Sequence, residues 1–306
     1  MHRPPPPEGP LPDLPTHYPF PTHGPLPTHH PLPTDRPLPL GQALPFEHAA
    51  ATVRGAGAEA AALAHHLIRY PTGIPAEPRP HSCPAAATER AAGTGRPQHG
   101  PVLLLHGLAD NRAVFGPLRR ELHRQGWTHL HALNYSPLIR DVRAAAVLLA
   151  RHVSWAARAH QGRPVTLVGH SLGGLICRYY VQRLGGDALA PTVVTLGTPH
   201  EGTTAALLPI PLPITRQLRP GSPLLAELQL PAPRCRARFT TLRGELDEVV
   251  RPGRSALLHH PDLWSDNLTI PGVGHIGLPT HPLAVEAVRR ALEAAEGGEL
   301  TERQAS

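Results

Sequence analysis

The sequence contains few cysteines, few aromatic residues and no block of like charges. Three cysteines in 306 residues, Cys83, Cys177 and Cys235, are too few and too unevenly placed for a disulfide framework or a zinc site. The formal charge of +6 comes with scattered arginines and no run of five like charges, and only 4% of the residues are aromatic. We therefore expect no nucleic-acid partner.

The sequence also lacks an apolar run long enough to cross a membrane. Its first residues, a short basic start followed by prolines, contain no apolar stretch of the signal-peptide type. The apolar stretch from Ala56 to Ile68 is interrupted by one glutamate and two histidines. We expect it to form a short helix lying against the domain or a membrane surface, and we expect the protein to be cytoplasmic.

Proline is densest near the N-terminus, where it makes up 16 of the first 45 residues. Residues 15–38 contain four hexapeptide repeats that begin with proline, and six residues are two turns of polyproline II. Such a segment can be a disordered spacer or a docking ligand for a partner domain. The composition predicts four parts: disordered residues 1–45, a short helix and irregular linker over 46–100, a single folded domain over 101–296, and a disordered tail over 297–306.

From Pro101 onwards, short apolar runs alternate with helical patterns, which is typical of βα units and a parallel sheet. The predicted strands are Val102–Leu105, Leu130–Tyr135, Val165–Val168, Thr192–Leu196, Phe239–Leu242 and Leu268–Ile270. The predicted helices are Ala113–Gln125, Arg140–His160, Leu172–Leu184 and Pro282–Ala295. The pattern predicts an α/β fold with a mostly parallel, doubly wound sheet, helices on both faces, and a ligand site at the carboxyl ends of the strands.

One strand-to-helix junction carries a nucleophile motif. Residues 169–173 have the sequence Gly-His-Ser-Leu-Gly between the strand Val165–Val168 and an apolar helix. A Gly-x-Ser-x-Gly turn in this position strains the serine backbone and exposes the hydroxyl, and its glycines avoid clashes that a Cβ would cause. The motif predicts Ser171 as a catalytic nucleophile, with a purely structural turn as the alternative.

A serine hydroxyl needs a base within hydrogen-bond reach, and histidine is the expected base. The chain has 22 histidines, so abundance decides nothing. His275 follows a late strand in a glycine-rich loop, where its ring can project over the sheet. We therefore predict His275 as the base; the competitors that lack this setting are His259, His260 and His281.

Several motifs, in order, resemble the bacterial lipases and esterases of the α/β-hydrolase fold, especially the actinobacterial type. The resemblance runs from about Tyr70 to the last helix. Its pieces, besides the nucleophile turn, are His-Gly-Leu at 106–108, Leu-Asn-Tyr-Ser-Pro at 133–137, Thr-Leu-Gly-Thr-Pro-His-Glu-Gly-Thr at 195–203 and Arg-Pro-Gly-Ser at 219–222. The resemblance implies an α/β-hydrolase fold and ester hydrolysis.

The resemblance also implies the acid and the oxyanion hole. Similar lipases carry Gly-x-x-Asp-x-x-Val after the penultimate strand, which selects Asp247 over Glu245 and Glu248, with an exposed acidic turn as the alternative. The fold places one oxyanion donor at the backbone N–H of Leu172, directly after the nucleophile. The second, by resemblance, is the N–H of Leu108, although the preceding His-Gly can also be a plain strand-ending turn.

No cofactor is implied, because no acidic cluster supports the structural calcium that some relatives bind. We expect Asp110 and Asn111 to cap the helix that starts near Ala113 rather than to bind a metal. Apolar residues among prolines, at about 203–232, predict either a small cap over an acyl pocket or ordinary core.

The expected activity is hydrolysis of a small-molecule ester or lipid by a lipase or carboxylesterase. Peripheral contact with a lipid surface and the oligomeric state stay open. A thioesterase, acyltransferase or amidase would use the same residues, and a non-catalytic scaffold built on the proline repeat is the non-enzyme alternative.

Overall fold

The computed structural model of the chain describes residues 99–108, 110–135, 139–208 and 212–304, together with positions 64, 68, 70, 71 and 73. The proline repeat and most of the predicted linker lie outside the described residues. The described residues all belong to one unit, which spans Leu44–Ser306.

Six parallel strands form one sheet in the order β2-β1-β3-β4-β5-β6. The strands are β1 Val102–Leu105, β2 Leu130–Leu133, β3 Thr166–His170, β4 Thr192–Leu196, β5 Arg238–Gly244 and β6 Trp264–Ile270. The chain moves from β1 outward to β2 and then returns to β3 on the other side of β1. This reversal opens a crevice at the carboxyl ends of β1 and β3, which is where doubly wound sheets bind ligands.

Helices cover both faces of the sheet, so the predicted doubly wound architecture is confirmed. They are α1 Gly116–Arg124, α2 Val142–Ala159, α3 Leu172–Arg183, α4 Pro223–Leu228 and α5 Pro282–Gln304. Side chains of a strand alternate between the faces, and β1 accordingly contributes Leu103 and Leu105 to one core and Val102 and Leu104 to the other. The first core holds α2, α3 and α4, and the second holds α1 and α5. No helix in the described part of the chain combines the length and apolar character that a membrane span requires.

Two of the predicted helices differ from the structure by more than a residue or two at their ends. The predicted helix Ala113–Gln125 is divided into a 3₁₀ turn, Arg112–Phe115, and α1, which has a proline in its first turn. Helix α5 continues to Gln304, so residues 297–304, expected to be a disordered tail, are helical instead. The sequence of this end is rich in glutamate and other helix-favouring residues, which outweigh two glycines.

The folded part of the chain begins before Pro101. The five isolated described positions between Ala64 and Gly73 are helical. The side-chain amide of Asn111 donates to the Tyr70 carbonyl at 2.8 Å, and that of Asn134 donates to the Gly73 carbonyl at 2.6 Å. Residues that the sequence assigned to a linker are thus hydrogen-bonded to loops that follow β1 and β2.

Candidate active site

Ser171 occupies the turn between β3 and α3. Its φ of 53° and ψ of −121° lie in a region that side chains rarely adopt, and such strain gathers at functional sites. A Cβ on Gly173 would lie 2.3 Å from the Leu105 carbonyl oxygen, so only glycine fits there. Ser171 is partly exposed although both of its neighbours in the chain are buried. The local sequence therefore builds the tight turn that presents one serine.

Asp247 and His275 form a buried pair beside this turn. The Nδ1 atom of His275 lies 2.8 Å from Oδ2 of Asp247. The other oxygen, Oδ1, accepts the backbone N–H groups of Val249 at 2.9 Å and Val250 at 2.8 Å. These bonds fix the carboxylate plane, so that Oδ2 accepts the Nδ1 proton and Nε2 of His275 is left as the basic nitrogen.

The neighbouring carboxylates have other partners. Glu245 accepts the backbone N–H of Gly272 at 2.9 Å, and Glu248 forms an exposed ion pair with Arg251. Of the three acids that the sequence offers here, the structure brings only Asp247 to His275.

The end of β4 brings the pair and the serine turn together. The Leu196 carbonyl accepts the Ser171 backbone N–H at 2.8 Å. The next residue, Gly197, has a φ of 55°, and a Cβ on it would lie 3.0 Å from His275 Nδ1 and 3.2 Å from Asp247 Oδ2. Glycine at 197 is therefore required for the imidazole and the carboxylate to pack against this strand end.

The two amides expected to form an oxyanion hole flank Ser171. Leu172 is the first residue of α3, so its N–H is one of the unpaired donors at a helix N-terminus. Leu108 follows Gly107, where a Cβ would lie 3.1 Å from the Ser171 Cβ. The turn after β1 thus passes directly against the serine.

Tyr135 and His106 hold this turn in place. The Tyr135 hydroxyl donates to the His106 carbonyl at 2.5 Å, and the two rings stack with centroids 4.2 Å apart. Nδ1 of His106 lies 2.9 Å from the Gly107 carbonyl, which can only accept, so Nδ1 carries the proton. Burial lowers the pKa of His106 to about 4, which keeps the ring neutral near pH 7.

His170 has no role predicted from the sequence, and Asp110 is expected there only to cap a helix. Nε2 of His170 lies 3.1 Å from the main-chain carbonyl of His275, and Nδ1 lies 3.9 Å from Oδ2 of Asp110. Asn111 caps the following 3₁₀ turn, as expected, by accepting from the Ala113 N–H. Asp110, also expected to cap, instead accepts the Asn111 backbone N–H at 2.6 Å. The only sequence signal for His170 is its place directly before the nucleophile.

The segment from 203 to 232 is largely core in its described part. The buried residues Ile214, Leu218, Leu224, Leu225 and Leu228 belong to the same cluster as α2 and α3. Leu207 and Leu208 are instead about 60% exposed. Ile210, also expected in the cap, lies outside the described residues. The cap itself stays a prediction, carried by the exposed leucine pair.

A buried arginine ties this segment to α3. Arg178 is fully buried and donates to Gln182 at 2.9 Å, to the Leu228 carbonyl at 2.8 Å and to the His200 carbonyl at 3.2 Å. Burial lowers the pKa of Arg178 to about 9. The guanidinium therefore joins the end of α4 and the loop after β4 to the nucleophile helix.

The remaining histidine candidates take other positions. His260 contacts the Leu230 carbonyl and Gln182, and His281 ends the short 3₁₀ turn before α5. Within the described ranges, no group of three or more His, Cys, Asp or Glu side chains could hold a metal ion.

Comparison with known proteins matches residues 100–213 to a family model described as alpha/beta hydrolase fold. Among solved structures, the mature lipase BlEst2 of Bacillus licheniformis superposes with a TM-score of 0.56 at 17% identity, over 64% of this chain and 93% of that one. Lipase B of Aspergillus fumigatus superposes with a TM-score of 0.51 at 18% identity, over 61% of this chain and 51% of that one. The chain therefore has the α/β-hydrolase fold, as the sequence predicted.

Proposed function

We propose that this protein is a carboxylic ester hydrolase, a lipase or carboxylesterase, with Ser171 as nucleophile, His275 as base and Asp247 as the acid that orients the base. The observation that carries the proposal is the strained Ser171 turn beside the buried Asp247–His275 pair, 2.8 Å apart. A nucleophile, a base and an orienting acid are the minimum set for acyl transfer. The similarity to lipases supports the ester as substrate.

The reaction follows from the protonation states that the hydrogen bonds favour. Because Asp247 accepts the Nδ1 proton, Nε2 of His275 is free to take the Ser171 proton as the oxygen attacks the ester carbonyl. The imidazolium then protonates the departing alcohol and leaves an acyl group on Ser171. Water, deprotonated by the same nitrogen, attacks the acyl-enzyme and releases the acid.

The negative charge on the former carbonyl oxygen is stabilised by the N–H groups of Leu172 and Leu108. The Leu172 amide stands at the N-terminus of α3, where the helix dipole favours negative charge. The Leu108 amide is held by the turn that Tyr135 and His106 support.

An ester with an apolar acyl chain is the substrate class that fits the surroundings. Leu207 and Leu208 are exposed on the segment that follows β4. Thr203, at the start of this segment, accepts the Arg251 N–H at 3.1 Å and donates to the Val249 carbonyl at 2.6 Å, which ties it to the loop of Asp247. The leucine pair follows this anchored threonine by four and five residues and supplies exposed apolar surface on the same segment.

A fluorophosphonate probe tests the nucleophile, because it labels an activated serine and ignores an ordinary one. We expect mass spectrometry to locate a single label on Ser171. Ser171→Ala should lose both labelling and hydrolysis of p-nitrophenyl esters, by on the order of 10⁴-fold or more in turnover. Ser154→Ala, on the outer helix α2, is the matched control and should behave as wild type.

A panel of p-nitrophenyl esters from short to long acyl chains, with a thioester and an amide of matching chain, defines the substrate class. Faster turnover of the thioester or the amide at equal chain length would contradict ester hydrolysis as the main activity. Turnover of Ser171→Ala within tenfold of wild type would contradict the whole assignment.

A further inference from the structure

His170 connects the nucleophile turn to the loop of the base. It is the last residue of β3, is 4% exposed and directly precedes Ser171. Its ring lies 4.9 Å from the ring of His275, centroid to centroid. Its Nε2 lies 3.1 Å from the His275 main-chain carbonyl, which can only accept, so Nε2 of His170 is the donor.

The other nitrogen of the same ring lies near a second carboxylate. Nδ1 of His170 lies 3.9 Å from Oδ2 of Asp110, whose side chain is 10% exposed. The other oxygen of Asp110 accepts the backbone N–H of Asn111 at 2.6 Å, which sets the orientation of the carboxylate. A Cβ on Gly107 would lie 3.3 Å from the same Nδ1, so the ring fills the space between the turn after β1 and the loop of His275.

We propose that Asp110 and His170 together position the catalytic base: His170 donates to the main-chain carbonyl of His275, and Asp110, 3.9 Å from the other ring nitrogen, forms an ion pair with His170 when both ring nitrogens carry a proton. This inference rests on the proposed function of Ser171 and His275. His170 is a positioning residue, because in this arrangement it touches the backbone of the base and moves no proton itself.

The effect expected from this bond falls on the chemical step. His275 must hold Nε2 within hydrogen-bond reach of the Ser171 oxygen, and a displacement of about 1 Å can cost on the order of 10²-fold in rate. The loop of His275 contains three glycines within residues 272–277, and main-chain bonds to the Val273 and Gly277 carbonyls restrain it on either side of the base. The side-chain donor of His170 adds a restraint at the main chain of the base itself. We expect binding of the acyl chain to be unaffected by this bond.

Two amide variants of His170 show whether the hydrogen-bond donor or the volume of the side chain matters for catalysis. A glutamine amide can reach the place of the imidazole Nε2, whereas an asparagine amide reaches only the place of Nδ1. We expect His170→Asn to lower kcat by about tenfold to a hundredfold with KM changed less than twofold. We expect His170→Gln to stay within about threefold of wild-type kcat, since it keeps the bond to the carbonyl.

A double-mutant cycle tests the link to Asp110. Asp110→Asn should lower kcat by at least about threefold in the wild-type background and change it little in the His170→Asn background, because coupled residues are not additive. Thermal melting of each variant and the rate of fluorophosphonate labelling of Ser171 accompany the kinetics. If His170→Asn does not fold, Asp110→Asn with and without His170→Gln supplies the same comparison without loss of volume.

Each outcome bears on the inference. Wild-type kcat in His170→Asn, or equal losses in the asparagine and glutamine variants, would overturn the role of the carbonyl bond. Additive effects of Asp110→Asn and His170→Asn would overturn the pairing. A wild-type chain whose Ser171 does not react with the probe would instead overturn the proposed function, and this inference with it.

Discussion

Replacement of Asp247 by asparagine tests how the base is oriented. In the structure, Oδ1 of Asp247 accepts two backbone N–H groups, at 2.9 Å and 2.8 Å, and only Oδ2 faces His275. An asparagine keeps those two bonds only if its oxygen stays at the Oδ1 position. Its NH₂ group then faces Nδ1 of His275 and donates to it, so the ring proton must move to Nε2. A protonated Nε2 cannot accept the serine proton.

The size of the expected loss in kcat follows from the free-energy cost of turning the asparagine amide over. Turning the amide over would return an acceptor to His275 but would place the NH₂ against two backbone N–H donors, of which that of Val250 is buried, at about 1–3 kcal/mol for each buried unsatisfied group. The tautomer of His275 with its proton on Nε2 is therefore favoured. We expect Asp247→Asn to lose about 10⁴-fold in kcat, equivalent to about 5.4 kcal/mol in the activation barrier.

The assay is p-nitrophenyl ester turnover from pH 5 to pH 9 for Asp247→Asn and two matched controls. Glu245→Gln keeps an acceptor for Gly272, and Glu248→Gln loses only an exposed ion pair, so both should stay within about threefold of wild type. If Asp247→Asn stays within tenfold of wild type while either control loses activity, the assignment of the acid is refuted.

Three further predictions concern the turn after β1, the N-terminal segment and acid stability. Tyr135→Phe removes the hydroxyl that donates to His106, and we expect kcat to fall by roughly tenfold with little change in KM, as measured by ester hydrolysis; an unchanged kcat would contradict a role of this turn in charge stabilisation. Deletion of residues 1–45 should leave kcat within twofold and the melting temperature within a few degrees, because the segment ends before the residues that bond to Asn111 and Asn134; a larger drop on thermal melting would show that it packs on the domain. Burial lowers the pKa values of His131 and His160 to about 4, so as the pH falls these histidines bind protons in the unfolded chain before they do so in the folded one. The free energy of unfolding should therefore decrease as the pH is lowered from 6.5 to 4. The expected decrease is on the order of 1 kcal/mol for each histidine after solvent screening. Urea unfolding at several pH values measures the free energy of unfolding. If the urea midpoint of His131→Gln drops as steeply on acidification as that of wild type, His131 does not contribute to the acid sensitivity.

The fold could be predicted in outline because it depends on patterns within short stretches of sequence. Strands β1 and β4 match their predicted bounds, since each is a short apolar run between a proline and a glycine turn. The start of β6 was harder to predict, and it lies four residues before the predicted Leu268. Its first six residues are partly or fully exposed at the edge of the sheet, and only their pairing with β5 makes them a strand.

The sequence by itself determined the local chemistry of this protein, and the tertiary structure decided which distant groups meet. The strained serine turn and the glycine-rich setting of His275 are encoded within a few residues each, because backbone strain and glycine conformations are local properties. The sequence left three carboxylates within four residues as possible acids, and similarity to known lipases selected Asp247 among them. The contact between His170 and the His275 carbonyl joins residues 105 positions apart, and no local pattern encodes it. The contact exists because all strands are parallel, so that the carboxyl ends of β3 and β6 lie on the same side of the sheet.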